Sequence, residues 1–443
     1  MRKLIYLPIE IKVRELNSKL LLAIRLVELG NSVVICRREF ADNLKNKPNG
    51  VVLAKSIAGF EIDNIKKHKK HGNLYTSLDI EGIFISNREQ SFRISQETIN
   101  EVDMLFLNGE KELIRIKETN FQLDESKIML TGAPQFDFYK HPLYKFFKHN
   151  SSKYKADYGN YILVLSRFGD SNSKFKRKDK DLGDFYNKQL GLNMSCDVLN
   201  FYNSSEKHTD KLFNAFLEML PVLSANFPNS KIIVRPHPVE KIETWIEYSK
   251  GLNNVKVIFE GEVGNWIQGA EFVIHNGCTT AIESYFLGKP IISYMPYTSE
   301  EFDLHIANMT GAMCNNLEEL ISTCKLILDK KFERINVDIE LKKYIYNLDV
   351  NASELLAENL TILTKSIKNS NGGKFNSNLF LIGFKKYVYK FRRRKSNSLI
   401  KFPYTTSNEI KERLEKICSC LEFDFTTYNV KEIGFNSFLI SKK

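Results

Sequence analysis

Residues 231–240, KIIVRPHPVE, and 266–296, WIQGAEFVIHNGCTTAIESYFLGKPIISYMP, decide the fold. Each holds an apolar run short enough for a buried strand, and each run ends on polar residues able to hold an anion. Ile232–Val234 leads into Arg235, His237 and Pro238, and Phe272–Ile274 leads into His275, Asn276, Gly277, Thr279 and Thr280. The two threonines open a predicted helix, Ala281–Leu287, stopped by Gly288 and Pro290. Open α/β sheets bind ligands at the carboxyl ends of their strands, and a helix start offers N–H groups to a phosphate. The pattern predicts a nucleotide phosphate site, with Glu283, one turn into the helix, in reach of a ribose hydroxyl. His275 has two readings, ligand contact or a strand end that accepts a backbone hydrogen bond.

Upstream, Leu4–Leu7 reads as a first strand. Leu16, Leu20, Ala23, Ile24 and Val27 mark a helix ending at Gly30, and Val33–Cys36 the next strand. The loop from Pro8 to Glu15, PIEIKVRE, is charged where a nucleotide-binding turn would be glycine-rich, so this half is expected to bind a second substrate, the acceptor, through Glu10, Arg14 and Glu15. Val51–Leu53, Leu74–Leu78, Met104–Leu107 and Ile128–Leu130 are further strands. In LDIEG, alternation points Asp79 and Glu81 to one side while Ile80 enters the core, and Gly82 permits a sharp turn. A carboxylate placed there can take a proton from a hydroxyl or attack an electrophilic carbon, and Glu81, then Asp79, is the expected catalytic group.

A polar stretch at His149–Gly159 reads as a linker, and Tyr161–Leu165 starts a second sheet. Leu212–Leu220 is a predicted helix stopped by Pro221, and Val255–Phe259 a further strand. The insertion between Arg167 and Ser205 carries Asp179-Lys180-Asp181; amid lysines and with no strand before it, it reads as a solvated loop, and no metal is expected. The other His-Pro pair, His141-Pro142, follows no apolar strand in this half.

RPHP, HNGCTT and GKPIISY resemble the C-terminal half of GT-B glycosyltransferases, more closely the bacterial surface-carbohydrate biosynthesis proteins related to Kdo and sialic acid transferases. PIEIKVRELNSKLLLAIRLVELGNSVVI, LDIEG and TGAPQFDFY extend the resemblance over about residues 1–330. It implies an α/β GT-B fold of two Rossmann-like domains facing a cleft. It also implies that an HP motif and a Ser/Thr motif, here His237 with Thr279 and Thr280, hold the phosphate of a CMP-activated sugar. LDIEG departs from the acidic-acidic-Gly motif of such enzymes by the inserted Ile80.

With 443 residues and 43% hydrophobic composition the chain can build two full cores. Seven dispersed cysteines without a CxxC pair fit a reducing cytoplasm, and no run of about 18 apolar residues predicts a spanning helix. The net charge of +11 lies mainly at the end: residues 372–443 hold 15 basic against 6 acidic residues, and 374–401 hold nine basic residues and no acid. Leu379–Lys395 therefore reads as an interfacial helix for an anionic membrane or as a helix packed on the body. The last forty residues read as a small appended αβ unit.

The expectation is an enzyme with an N-terminal Rossmann-like acceptor and catalytic domain (1–155), a nucleotide-sugar-binding domain (156–370) and a basic extension (371–443). Its predicted activity is transfer of a CMP-activated ulosonic acid such as Kdo to a bacterial surface polysaccharide. No cofactor beyond the nucleotide sugar and no nucleic acid are expected, and the site is cytoplasmic, peripheral on the inner face of the membrane. The alternatives are a CDP-glycerol-type glycerophosphotransferase, a UDP-sugar epimerase, and a noncatalytic polysaccharide-assembly or nucleic-acid-binding protein.

Overall fold

The computed structural model describes residues 3–84, 94–119, 121–174, 183–184, 195–367, 373–375 and 401–443. The strands are β1 (Leu4–Ile9), β2 (Ser32–Arg37), β3 (Val51–Ala54), β4 (Leu74–Leu78), β5 (Met104–Leu107), β6 (Ile128–Leu130), β7 (Tyr161–Leu165), β8 (Lys231–Arg235), β9 (Val255–Val257), β10 (Phe272–His275), β11 (Ile291–Tyr294), β12 (Ala312–Cys314), β13 (Tyr428–Gly434) and β14 (Ser437–Lys442). Contacts divide the chain into unit 1, residues 1–146 with 338–443, and unit 2, residues 147–337.

Unit 1 is one sheet in the order β13-β14-β2-β1-β3-β4-β5-β6, with β1 to β6 parallel. Parallel strands are covered on both faces, which is why their sequences are nearly continuous apolar runs. Ile5, Leu7, Val33, Val34, Ile35 and Val51 are fully buried. The order reverses between β1 and β3, and helix Lys12–Glu28 leaves from the carboxyl end of β1.

Unit 2 is parallel in the order β12-β11-β10-β7-β8-β9. Read from β9, this is the 3-2-1-4-5-6 order of a doubly wound nucleotide-binding sheet, with its reversal between β7 and β10. Its core packs Trp245, Phe168 and Phe216 on one face and Trp266, Tyr161 and Ile267 on the other.

The division differs from the expected one, because 338–443 belongs to unit 1. The buried Asp137 carboxylate, in TGAPQFDFY, accepts from Asn347 Nδ2 at 2.7 Å and from the backbone N–H groups of Ala352 (3.2 Å) and Ser353 (2.7 Å). Lys140 Nζ donates to the carbonyls of Asn347 and Val350 at 2.8 and 2.7 Å. Helix Ala352–Lys365 is thereby seated on helix Lys12–Glu28, where Arg25 pairs with Glu354 at 2.7 Å.

The last forty residues are not an appended unit. β14 pairs antiparallel with β2, Phe438 opposite Ile35 and Ile440 opposite Val33, and β13 closes the edge. Helix Ser407–Leu421 buries Ile410, Leu414 and Ile417, and its Glu409 pairs with Lys12 at 2.7 Å. The predicted basic helix Leu379–Lys395 lies outside the described residues. The expected linker at 149–159 is instead largely helix, Lys145–Tyr158. Phe147 is buried and the Tyr154 ring stacks on Trp266 at 3.9 Å, an inward stripe that polar neighbours conceal in the sequence. Pro221 does not stop its helix, which runs Cys196–Asn226: the buried Leu217, Leu220 and Leu223 carry it through the missing N–H. No helix among the described residues is long and apolar enough to cross a membrane.

Removing the Asp137 carboxylate leaves three donors around it without their acceptor. Asp137→Ala should destabilise unit 1 by about 3–5 kcal/mol. The check is chemical denaturation, read as an earlier transition than in wild type.

Candidate functional site

In unit 1 the reversal point of the sheet carries a network of opposite charges. Lys55, just past β3, pairs with Glu10 Oε2 at 3.3 Å and Glu81 Oε1 at 3.4 Å. Arg14, in the first turn of its helix, reaches the same Glu81 oxygen at 3.0 Å, and Lys401 reaches Glu10 Oε1 at 2.8 Å. Burial alone would raise the Glu10 carboxyl, but Lys55 and Lys401 outweigh it and hold it below the usual range. Burial acts downward on Lys55, and Glu81, Glu15, Glu10 and Asp79 more than reverse it. The structure thus brings Glu10, Arg14, Asp79 and Glu81 together, but in a turn past the end of β4 and not along an alternating strand, and Ile80 is only half-buried.

Glu15 has a different task. It is buried, and its two carboxylate oxygens accept from the backbone N–H groups of Glu10 (3.2 Å) and Ile11 (2.9 Å). It shapes the loop that presents Glu10 and is not itself offered to a ligand, which corrects its assignment as an acceptor contact.

The LDIEG segment turns in a short 3-10 helix, Ile80–Phe84, after β4. Asp79 Oδ1 accepts from the Glu81 N–H at 3.0 Å, and Asn108 Nδ2 donates to the Asp79 carbonyl at 2.7 Å. Beneath it Glu112 is buried and accepts from both Asn108 nitrogens at 2.8 Å. Burial, aided by Asp79, pushes its carboxyl up to about 7. A Cβ at Gly82 would overlap that carboxylate, so any larger residue there would have to displace the Glu112 side chain.

In unit 2 the HP loop hangs from one acid that sequence reasoning left without a role. Buried Glu240 accepts through Oε1 from Ser166 Oγ (2.8 Å), Phe168 N–H (3.0 Å) and His237 N–H (3.0 Å), and through Oε2 from Trp245 Nε1 (2.8 Å). The Lys174 amine donates to the Pro238 carbonyl, tying the loop to residues 172–174. Arg235 donates to the carbonyls of Glu260 and Gly261 at 2.6 and 2.7 Å and lies 5.4 Å from the centre of the Phe259 ring. Burial brings it down to about 10, against the opposing pull of acids that include Glu283. Two of its donors are therefore engaged within the protein.

At the β7/β10 reversal Asn276 Oδ1 accepts from the Arg167 N–H at 2.9 Å, which fixes the two strand ends to each other. His275 is fully buried: Nδ1 accepts from the Gly277 N–H at 3.0 Å and Nε2 lies 2.9 Å from Ser293 Oγ, whose own proton goes to the Asn308 carbonyl. Nε2 therefore carries the hydrogen, and burial holds the imidazolium form down to about 3. Of its two readings the structure has the strand end, which corrects its assignment as a ligand contact. Gly277 has φ +74°, a left-handed turn that brings the chain to helix Thr280–Phe286. Thr280 Oγ1 donates to Cys278 Sγ at 2.9 Å, while Thr279, at the N-cap, makes no side-chain capping bond.

Lys19, in helix Lys12–Glu28, is a buried charge inside the apolar stripe of Leu16, Leu20 and Ala23. Among the described residues no group of three or more His, Cys, Asp or Glu is placed to hold a metal; Asp179 and Asp181 lie outside them.

No protein-family model matches the sequence, and no curated protein is similar to it. Solved structures are similar in fold. A UDP-GlcNAc 2-epimerase from Methanocaldococcus jannaschii aligns at 15% identity with a TM-score of 0.50, covering 82% of this chain and 100% of its own. The same epimerase in complex with UDP-GlcNAc and UDP aligns at 14% identity and TM-score 0.51, with 82% and 100% covered. The fold is accordingly that of the GT-B class, two Rossmann-like α/β units.

Exchanging one Glu240 oxygen for an amide sets a donor against donors and should release the HP loop. Glu240→Gln is expected to lower affinity for the nucleotide by about tenfold or more while the circular dichroism of the protein stays unchanged. Calorimetric titration with UDP and with CMP reads the effect.

Proposed function

We propose that the chain is an enzyme acting on a nucleotide-activated sugar. Unit 2 takes the nucleotide phosphate at the ends of β8 and β10 through His237, Pro238, Gly277, Thr279 and Thr280, with Arg235, Asn276 and Glu283 shaping the surroundings. Unit 1 works on the sugar, with Glu81 as the reacting carboxylate and Asp79 setting its turn. The observation that carries this reading is Glu81 at the mouth of the unit 1 reversal point, its side chain 31% exposed and gripped by Arg14 and Lys55. Carboxyl ends at a reversal point are where open α/β sheets bind ligands, and a carboxylate held there by cations is oriented before substrate arrives.

Two reactions use such a group. Epimerisation of a UDP-sugar needs a proton taken from one face of a ring carbon and another returned to the opposite face. Transfer of a CMP-linked ulosonic acid needs a carboxylate to accept the proton of the attacking hydroxyl. The likeness to UDP-GlcNAc 2-epimerases over their whole length supports the first reading. The resemblance of RPHP and HNGCTT to the motifs of Kdo and sialic acid transferases supports the second.

Incubation with UDP-GlcNAc in deuterium oxide separates them, because epimerisation leaves deuterium at the inverted carbon. The parallel reaction contains a CMP-linked ulosonic acid and a glycan acceptor and is read as new glycoside. In whichever reaction turns over, Glu81→Gln should lower turnover by about 10²-fold or more with nucleotide affinity unchanged. Thermal shifts with UDP, CMP, CDP and GDP identify the nucleotide. Near wild-type turnover by both Glu81→Gln and Asp79→Asn, or no shift with any nucleotide, would sink the proposal.

A further inference from the structure

Asn308, in the short helix His305–Asn308 of unit 2, is 4% exposed, and among the described residues its buried Oδ1 has no hydrogen-bond partner. Its Nδ2 makes no hydrogen bond among them either. The backbone of the same residue is fully used: the N–H donates to the Leu304 carbonyl at 3.1 Å, and the carbonyl accepts from Ser293 Oγ at 2.8 Å. Ser293 Oγ lies 2.9 Å from His275 Nε2, and His275 Nδ1 accepts from the Gly277 N–H at 3.0 Å. The bonds that fix Asn308 thus end at Gly277, and the unused amide faces that residue: a Cβ at Gly277 would lie 3.4 Å from Oδ1 and 3.9 Å from Nδ2. The segment leading to Asn308 is held as well. Asp303 accepts from the Ser299 N–H at 2.7 Å and lies 2.7 Å from His208 Nε2, and Ile306 and Ala307 are buried.

A buried amide without its hydrogen bonds is unfavourable, and here the backbone sets it in place with both polar ends unspent. Gly277 belongs to HNGCTT, the turn read as the seat of the nucleotide phosphate. We propose that the Asn308 amide is a specificity contact of that site and takes a ribose hydroxyl of the nucleotide. Oδ1 only accepts, so its partner is a donor. An ionised phosphate oxygen has no proton to give, whereas a hydroxyl donates to Oδ1 and is able to accept from Nδ2. Between phosphate and base the ribose is the first part of a nucleotide that carries such hydroxyls. The contact selects a ribonucleotide against its deoxy analogue, because loss of the hydroxyl returns the amide to its unpaired state. The inference rests on the nucleotide-sugar reading and adds a residue to its unit 2 site.

The test uses the full chain, wild type, Asn308→Leu and Asn308→Ala, titrated by calorimetry with UDP, CMP and the 2′-deoxy and 3′-deoxy analogues of each. Leucine is close to asparagine in shape and removes both polar ends; alanine serves should leucine crowd the turn. Wild type should bind a ribonucleotide roughly tenfold or more tighter than one of its deoxy analogues. In both variants that ratio should fall to within about threefold, because affinity for the ribonucleotide drops by roughly tenfold while affinity for the same deoxy analogue changes by less than about threefold. Without nucleotide, Asn308→Leu should melt no lower than wild type, since an unpaired amide gives up no hydrogen bond. An amide with a merely structural role would lower the melting temperature and leave the ratio alone.

A wild type indifferent to the deoxy analogues overturns the proposal, as does a ratio that neither substitution changes. Equal weakening of ribo- and deoxynucleotides, the result a base contact would give, overturns it too. In each of these cases the nucleotides still bind, so the contact is removed and the unit 2 reading stands. Failure of wild type to bind any of the nucleotides removes both.

Discussion

One buried carboxylate decides which half of the molecule the end of the chain belongs to. Asp137 gathers an amide side chain and two backbone N–H groups from residues 347–353, and none of those donors has water as a substitute at that depth. Because the returning helix starts from that anchor, it lies on helix Lys12–Glu28 and its polar side chains find Arg25 and Asn31. The C-terminal helix and hairpin then complete the same unit, and Lys401 arrives at Glu10 from that side.

Both candidate sites obey a common physical scheme. The strands end at a reversal point, a buried acid fastens the loop there, and the groups that remain accessible are arranged by that fastening. In unit 1 Glu15 ties down the first loop and Glu112 supports the turn after β4. In unit 2 Glu240 collects four donors below the HP loop, and neutral His275 braces the turn at Gly277. A buried carboxylate without its donors would be severely penalised, so these loops have little freedom to take another shape.

The strands were legible because parallel sheets demand short apolar runs, and the helix stops at Gly30 and Gly288 because positive φ favours glycine there. That Asp79 and Glu81 lie just past a strand end, as Glu10 and Arg14 do, was legible, but the 3-10 turn that carries them was not, since LDIEG also reads as alternating strand. The fate of the last forty residues was not, since a hairpin's choice of sheet depends on pairing with β2, far away in sequence. The helix at Lys145–Tyr158 hid behind its solvent face, and Pro221 was overruled by the leucines around it. Roles were harder than positions: Glu15, Glu240 and His275 are all polar residues near strand ends, and only their hydrogen-bond partners separate a brace from a binding group.

The hairpin on β2 also dictates an order of assembly on the ribosome. Unit 2 is continuous in sequence, so all its strands have emerged while synthesis is still in progress. Unit 1 is begun before unit 2 and completed after it: the outer edge of β2 stays bare, its backbone N–H and C=O groups unmatched, until Ser437–Lys442 has been synthesised. During that interval the nascent chain displays a sticky strand edge, the kind of surface that chaperones shield and that neighbouring polypeptides can invade. A premature stop codon anywhere before the hairpin would make that exposure permanent.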